Sequence, residues 1–128
     1  MIIRPYQEED FPAIHQWNKE QGWDNLVEKQ QETKTAWKNS NVAFVAEIEG
    51  RIAGCLRGLT DGNITLYICE LLVDQNHRGK GIGTKLMDHV HGIYPGTRLE
   101  LLASSTSRTF YESQNFRAFY GFRKTFEE

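Results

Sequence analysis

Residues 70–86 read ELLVDQNHRGKGIGTKL and carry the clearest structural signal in the chain. An apolar strand runs into a polar loop with glycines at alternate positions, and the loop opens directly into an amphipathic helix. Glycine lets the backbone approach a ligand closely, and the first turn of a helix adds unpaired N–H groups and the positive end of its dipole. Arg78 and Lys80 add full positive charge. Together these features predict an anion-binding cradle between residues 78 and 84.

The kind of anion is narrowed by what this loop lacks. Residues 79–83 read GKGIG and lack the Lys-Ser/Thr ending of a nucleotide P-loop. They do not match the GxGxxG dinucleotide fingerprint, and no parallel βαβ unit surrounds them. A glycine turn that only starts a helix beside two solvated cations is the alternative. The strand before the loop and the apolar stripe after it favour a cradle for a pyrophosphate.

Outward from this stretch, hydrophobic patterning predicts the order β-α-α-β-β-β-α-β-α-β. Before it we expect an opening strand over 2–4, helices from Asp10 to Gly22 and from Leu26 to Lys38, and strands within 42–48, 51–56 and 64–73. After it we expect a helix over 84–93 that Ile82 extends by one turn, a strand over 99–103, a helix over 104–114 and one or two strands within 116–126. This order predicts one α+β domain, residues 1–128, with a mixed, mostly antiparallel twisted sheet and helices on both faces.

Composition removes several classes of function. A formal charge of −2 leaves no basic excess, so we do not expect nucleic acid as a partner. The apolar runs are too short to span a bilayer and no cleavable leader is recognisable, so we expect a cytoplasmic protein with no membrane partner. Cys55 and Cys69 form no CxxC pair and join no His/Cys cluster. We therefore expect two reduced thiols and no metal site.

A family resemblance rests on the same stretch. Arg78-x-x-Gly81-x-Gly83 matches the (Gln/Arg)-x-x-Gly-x-(Gly/Ala) motif of the Gcn5-related N-acetyltransferases (GNAT), and residues 71–73 (Leu-Leu-Val) precede it at that family's spacing. The predicted order of elements is also similar, so the resemblance covers essentially the whole chain. It implies a GNAT fold and an acetyl-CoA-dependent N-acetyltransferase that moves an acetyl group to a primary amine by direct attack in a ternary complex.

The resemblance also implies which residues hold acetyl-CoA. Backbone groups of the strand would bind the pantetheine arm and polarise the thioester carbonyl, the glycine loop would wrap the pyrophosphate, and residues 104–116 would form a second cofactor segment. The implied cofactor-binding residues are Leu71, Leu72, Val73, Arg78, Gly79, Lys80, Gly81, Ile82, Gly83, Thr84, Ser104, Ser107, Phe110 and Tyr111. The sequence departs from the family pattern at Ser104, Ser107 and Asn115, where the family has asparagine, alanine and glycine. The first departure weakens an expected pantetheine contact.

Two side chains are candidates for the chemistry. Glu70 is the one carboxylate in an apolar strand, and an acid at this position in similar enzymes binds or deprotonates the amine. Its alternative role is a structural ion pair with a neighbouring arginine. The phenol of Tyr111, with an ordinary pKa near 10, matches the family tyrosine that protonates the departing thiolate. Its alternative role is an aromatic plug between helix and sheet. A cysteine acyl-enzyme through Cys69 is disfavoured because no histidine stands at a partner spacing.

The acceptor is less well marked. Trp23 beside Asp24 suggests an aromatic and acidic amine pocket, Arg57 on a central strand suggests recognition of a carboxylate, and Glu70 suggests an amine. These cues conflict and leave open a small-molecule or a peptide amine. A CoA-binding sensor or interaction module of the same fold, without useful turnover, is the alternative function. An exposed sheet edge expected near the C-terminus is compatible with a homodimer.

Overall fold

The computed structural model describes residues 1–128 and contains five strands. They are β1 (Ile2–Pro5), β2 (Val42–Ile48), β3 (Arg51–Thr60), β4 (Thr65–Val73) and β5 (Arg98–Leu101). The strands form one sheet in the order β1-β2-β3-β4-β5. Neighbours are antiparallel except β4 and β5, which are parallel. The predicted mixed, mostly antiparallel sheet is confirmed.

Helices cover both faces of this sheet. They are α1 (Phe11–Glu20), α2 (Asp24–Glu28), α3 (Gln30–Asn39), α4 (Ile82–Ile93) and α5 (Arg108–Ser113). Short 3-10 turns lie at Glu8–Asp10 and Gln75–His77. No helix combines the length and the apolar content that a membrane span requires. The α+β class and the helices on both faces are as the sequence predicts.

Two apolar cores result from the alternation of side chains along the strands. The first packs α4 on one face of the sheet; its fully buried members include Leu86 and Val90 of α4 and Leu56 and Leu66 of the sheet. The second packs α1 and α3 on the other face, through Ile14, Trp17 and Trp37 onto Val45, Cys55 and Leu72. These cores are called the α4 core and the α1/α3 core below.

The helix predicted from Leu26 to Lys38 is interrupted. Lys29 has φ −97° and ψ 49°, outside the helical region, and separates α2 from α3. Thr33 contributes to the interruption, because its single hydroxyl hydrogen is shared between the carbonyl oxygens of Leu26 (2.9 Å) and Lys29 (2.8 Å). A side chain that bonds to backbone carbonyls competes with continuation of the helix.

The final strands predicted within residues 116–126 are absent, and that prediction is wrong for this structure. Residues 114–128 form no strand, and within 117–128 the one main-chain hydrogen bond joins Glu128 N to Thr125 O. The strand predicted over 99–103 also ends early, at Leu101. Alternating residues make a strand only where a neighbouring edge supplies hydrogen bonds, and no strand forms main-chain hydrogen bonds with the tail here.

Two irregularities of β4 shape the middle of the sheet. Arg57 pairs with Glu70 and Gly58 pairs with Ile68, so Cys69 is an extra residue that forms a β-bulge. The bulge reverses the alternation: Ile68 points into the α4 core, whereas Glu70 shares a face with Leu72 of the α1/α3 core. Pairing of β4 with β5 also ends at Ile68. Residues 69–73 therefore have β3 on one side and an open edge on the other.

Candidate active site

The glycine loop follows β4 and leads into α4. Gly79 and Gly81 both have φ of 78°, and nothing lies within 4 Å of the position that a Cβ would take at either. Glycine is therefore required there by backbone conformation and not by lack of space. Gly81 caps the N-terminus of α4 in the left-handed conformation, so the sequence sets where the helix begins.

The first turn of α4 carries unpaired main-chain donors. The N–H groups of Gly81, Ile82, Gly83 and Thr84 have no main-chain acceptor, and no side chain caps the helix. Arg78 and Lys80 are exposed beside them and make no ion pair with a carboxylate. Four free N–H groups, the helix dipole and two free cations make this turn the kind of site that binds a phosphate group.

The open edge of β4 faces the same region. The N–H of Asp74 donates to Ala53 O of β3 at 2.7 Å, so by alternation the main-chain groups of Val73 and Leu71 point away from β3. The carbonyl of Val73 accepts a 3.2 Å hydrogen bond from Arg78 Nε, in agreement with this direction. Of the three strand residues predicted to contact the cofactor, Leu71 and Val73 point their main-chain groups away from β3, toward the unpaired edge of residues 69–73. This unpaired edge is called the opening below. The main-chain groups of Leu72 point toward β3.

Helix α5 packs against the start of α4. Thr84 Oγ1 donates a 2.8 Å hydrogen bond to Gln114 Oε1. A Cβ on Gly83 would lie 3.6 Å from Leu71 Cδ2 and 3.7 Å from Phe110 Cζ, which are ordinary van der Waals distances. The structure thus brings together the glycine loop, β4 and α5, three segments that the sequence assigned to one cofactor site. Gln114 was missed because a long-range partner leaves no local signal.

Tyr111 lies on the α4 side of the opening. Its half-buried ring packs against the α4 core, as do Leu71 and Val73, and makes edge-to-face contacts with Phe110 (5.1 Å) and Phe116 (5.5 Å) between centroids. Burial raises the pKa of the Tyr111 phenol above its ordinary value. The group therefore stays protonated at neutral pH, as a proton donor must.

Ser104 and Ser107 are engaged with each other. Their hydroxyl oxygens are 3.0 Å apart, the N–H of Ser104 donates to Ser107 Oγ (2.9 Å), and the N–H of Ser107 donates to Ser104 Oγ (3.2 Å). This reciprocal arrangement satisfies N–H groups just before α5. The two serines thus order the entry to α5, and their predicted contact with the pantetheine arm remains a prediction.

Glu70 lies on the opposite face of the sheet from Tyr111. Its carboxylate is buried, and Oε2 accepts a 2.5 Å hydrogen bond from Arg57 Nε. Arg57 in turn donates to Ser40 Oγ at 3.2 Å through Nη1. The ion pair that the sequence offered as the alternative role of Glu70 is present. The second oxygen, Oε1, is also buried and has no partner, so the carboxylate keeps one free acceptor.

Four more buried polar atoms have no hydrogen-bond partner, and they belong to α1 and α3, the helices on the same face of the sheet as Glu70. They are His15 Nδ1, both side-chain polar atoms of Asn18 and Trp37 Nε1. Buried polar groups in native proteins are usually hydrogen-bonded, so a group of exceptions calls for an explanation such as a polar ligand. Neither Asn18 nor Ser40 was expected from sequence, because helix periodicity treats both as ordinary polar positions.

The remaining predicted acceptor residues are placed less favourably. Trp23 is exposed at the turn between α1 and α2, and its side chain belongs to neither core. Its main-chain N–H donates to Asn18 O at 3.0 Å. Arg57 is already paired with Glu70 and Ser40, so its guanidinium is less available for a substrate carboxylate. The structure brings Arg57 and Glu70 together but leaves Trp23 apart from the α1/α3 core.

The cysteines do not offer a reactive thiolate. Burial raises the pKa of the Cys55 thiol well above its usual value, and the nearby Glu70 carboxylate adds to this effect. Burial also raises the pKa of Cys69, where Arg57 acts in the opposite direction with a smaller effect. No three His, Cys, Asp or Glu side chains are grouped so that they could hold a metal ion.

Comparisons with known proteins agree with this geometry. Residues 39–118 match the family described as "Acetyltransferase (GNAT) domain". A relative from Methanocaldococcus jannaschii, described as an uncharacterized N-acetyltransferase, is 30% identical, over 91% of this chain and 78% of its own. A GNAT-family acetyltransferase of Streptococcus pneumoniae TIGR4 has a similar structure, with a TM-score of 0.80, 20% identity and coverage of 99% of this chain and 98% of its own.

A second similar solved structure is of an enzyme with a named substrate class and a bound ligand. It is an aminoglycoside 6'-N-acetyltransferase complexed with coenzyme A, with a TM-score of 0.68, 15% identity and coverage of 79% of this chain and 61% of its own. At this identity the likeness shows the fold alone. The family match over most of the chain and the archaeal relative go further: the chain belongs to the family of GNAT acetyltransferases.

Proposed function

We propose that this protein is an acetyl-CoA-dependent N-acetyltransferase that acetylates a primary amine by direct attack. The observation that carries the proposal is the first turn of α4, where four N–H groups without main-chain acceptors lie beside the free cations Arg78 and Lys80. This turn adjoins the open edge of β4, so a ligand with a diphosphate at one end and an extended arm at the other fits the arrangement. The coenzyme A complex of the similarly folded aminoglycoside acetyltransferase supports this choice of ligand.

Different segments of the chain bind different parts of acetyl-CoA. The N–H groups from Gly81 to Thr84 bind the diphosphate, and Arg78 and Lys80 neutralise its charge. The main-chain groups of Leu71 and Val73 bind the amides of the pantetheine arm along the open edge of β4, as an added strand would. When bound, acetyl-CoA supplies an activated acetyl group as a thioester. Phe110 packs near Gly83 at the start of α4.

The acceptor approaches from the opposite face. Glu70 Oε1 is a buried acceptor on the α1/α3 side of β4, and it belongs to the stretch of that strand that β5 leaves unpaired. Amines of ordinary basicity are protonated at neutral pH, so a base must remove one proton before attack. Glu70 takes that proton at Oε1, while Arg57 holds Oε2 and fixes the orientation of the carboxylate.

Tyr111 completes the transfer from the α4 side. As the C–N bond of the amide forms and the C–S bond breaks, the phenol gives its proton to the departing thiolate, and the resulting phenolate takes up the second proton that the amide nitrogen loses. Its raised pKa keeps the proton in place until the thiolate develops. Glu70 and Tyr111 therefore act on opposite faces of the sheet, and the opening beside β4 connects them.

The proposal is tested by calorimetry with coenzyme A, followed by release of free thiol from acetyl-CoA in the presence of a panel of small polyamines, aminoglycosides and peptides with free amines. We expect saturable binding of coenzyme A and turnover that depends on the amine. At a hundredfold excess over its dissociation constant, the ligand should stabilise the fold by about 2.7 kcal/mol. Binding without turnover for any amine would favour the CoA-binding module, and stabilisation by ATP instead of coenzyme A would overturn the proposal.

A further inference from the structure

Ser40 lies between α3 and β2, at the point where α3 ends. It caps the C-terminus of the helix with an extended backbone, φ −80° and ψ 134°. Its hydroxyl donates a 2.6 Å hydrogen bond to the carbonyl oxygen of Ala36, one turn back in α3. The helix is itself anchored by Trp37, which is 1% exposed in the α1/α3 core. The Ser40 oxygen is therefore held in place relative to the sheet.

The same oxygen accepts a hydrogen bond from Arg57. A hydroxyl has one hydrogen and two lone pairs, and the hydrogen of Ser40 goes to Ala36 O, so the oxygen is left to accept. Arg57 Nη1 donates to this oxygen at 3.2 Å, and Arg57 Nε donates to Glu70 Oε2 at 2.5 Å. Because the guanidinium is planar and rigid, contacts at two of its nitrogens fix the orientation of its plane.

In this orientation one hydrogen bond joins Arg57 to Glu70, where two are possible. Arginine often forms two parallel bonds with a carboxylate, which here would add a bond from Nη2 to Oε1. Arg57 Nη2 has no hydrogen-bond partner in the chain, and Glu70 Oε1 is buried without one. The pair is shielded from water, with 17% of the Arg57 side chain and 5% of the Glu70 side chain exposed. The donor and the acceptor of a second bond are thus both present but not joined, which calls for a cause.

We propose that Ser40 is a positioning residue, which holds Arg57 by Nη1 so that the guanidinium bonds only Oε2 of Glu70 and leaves Oε1 free for the amine. This inference rests on the proposed function of Glu70 as the general base. Ser40 contacts no reacting atom in this scheme and acts through Arg57 alone. A second bond from Arg57 to Oε1 would occupy the oxygen that takes the proton of the amine.

The first test is the crystal structure of Ser40→Ala. Without the hydroxyl the guanidinium has one anchor, and we expect it to turn until Nη2 donates to Glu70 Oε1 at about 2.7–2.9 Å, the usual distance in such pairs. Ser40→Thr keeps the hydroxyl and should keep the single bond. This measurement is independent of activity, so an Oε1 that stays free in Ser40→Ala would overturn the inference whatever becomes of the proposed function.

The second test is kcat with the most active amine of the panel, in the wild type and in a Glu70→Gln background. Ser40→Ala should lower kcat of the wild type by roughly tenfold to 10²-fold, the latter being the cost of misplacing a group by about 1 Å. In the Glu70→Gln background it should change kcat by less than about twofold, because it acts through Glu70. Ser40→Thr should restore most of the activity.

A control is available for the lost helix cap. The Thr97 hydroxyl donates a 2.7 Å hydrogen bond to the carbonyl oxygen of Tyr94, just after α4, and touches neither Arg57 nor Glu70. Thr97→Val should therefore leave kcat unchanged. Equal losses from Ser40→Ala in both backgrounds would show a merely structural role and overturn the inference. A kcat lowered by Glu70→Gln but not by Ser40→Ala would overturn the positioning role alone, and a kcat lowered by neither would overturn the proposed base as well.

Discussion

Arg57 and Glu70 face each other on β3 and β4, with Arg57 Nε 2.5 Å from Glu70 Oε2, and the second oxygen of this carboxylate is buried without a partner. An ion pair that served structure alone would be expected to satisfy both oxygens, since an unbonded buried oxygen is costly. The arrangement instead holds one oxygen still and leaves the other free to accept. It lies immediately after the bulge at Cys69, and bulges commonly re-aim side chains next to active sites.

Glu70→Gln should lower kcat at pH 7 by about 10²–10⁴-fold, the usual contribution of a general base. The amide has the same shape and can still accept a hydrogen bond from Arg57, so affinity for coenzyme A should be unchanged by calorimetry. The loss should shrink as the pH approaches the pKa of the amine, because the free amine then no longer needs a base. An unaltered kcat at neutral pH would reduce Glu70 to a structural partner of Arg57.

Tyr111→Phe should lower kcat by about 10²-fold or more through loss of the acid. The ring contacts with Phe110 and Phe116 are kept, so KM for acetyl-CoA and thermal stability should change little. The protonated phenol is the active form and burial raises its pKa, so the ratio of wild-type to variant rates should stay constant through neutral pH and fall only above pH 10, the ordinary pKa. An unchanged kcat in the variant, or a ratio that already falls below pH 10, would contradict the role of this buried phenol as the acid.

Local features of this site could be predicted from sequence. The glycine loop, its cations and the start of α4 follow from residues 78–84, since left-handed glycines and a helix N-terminus are set by neighbours in the chain. The face of the sheet on which Glu70 lies could not be predicted, because unbroken alternation through β4 would put Glu70 with Ile68 in the α4 core. The extra residue at Cys69 shifts it to the other face, and a bulge carries no local signature here.

Features that depend on a distant partner were also beyond the sequence. Residues 116–126 have the period of a strand, but the period does not say which edge will pair with them. The helix break at Lys29 depends on a hydrogen bond from the Thr33 hydroxyl to main-chain carbonyls. Helix propensities do not predict whether a threonine forms such a bond. The same holds for the bond from Thr84 to Gln114 across thirty residues.

Gly81→Ala tests the cradle against a matched glycine. Gly81 and Gly62 have φ of 78° and 83°, and neither has an atom within 4 Å of a Cβ position, so alanine strains both sites by backbone conformation alone. Each variant should lose about 1–2 kcal/mol of unfolding free energy. Only Gly81→Ala should also weaken binding of coenzyme A, by about tenfold or more, because it disturbs the N–H groups at the start of α4. Equal affinities of the two variants for coenzyme A in calorimetry would show that the glycine loop does not bind this ligand.

Cys69→Ala tests direct transfer against a covalent acetyl-enzyme. Burial raises the pKa of the Cys69 thiol and outweighs the opposite effect of Arg57, so little thiolate exists at pH 7. We expect kcat within about twofold of the wild type and a loss of unfolding free energy of about 1 kcal/mol, the typical effect of a point substitution. Mass spectrometry of wild-type protein mixed with acetyl-CoA alone should show no acetyl adduct. An adduct that disappears in Cys69→Ala together with turnover would replace the ternary complex with a two-step mechanism.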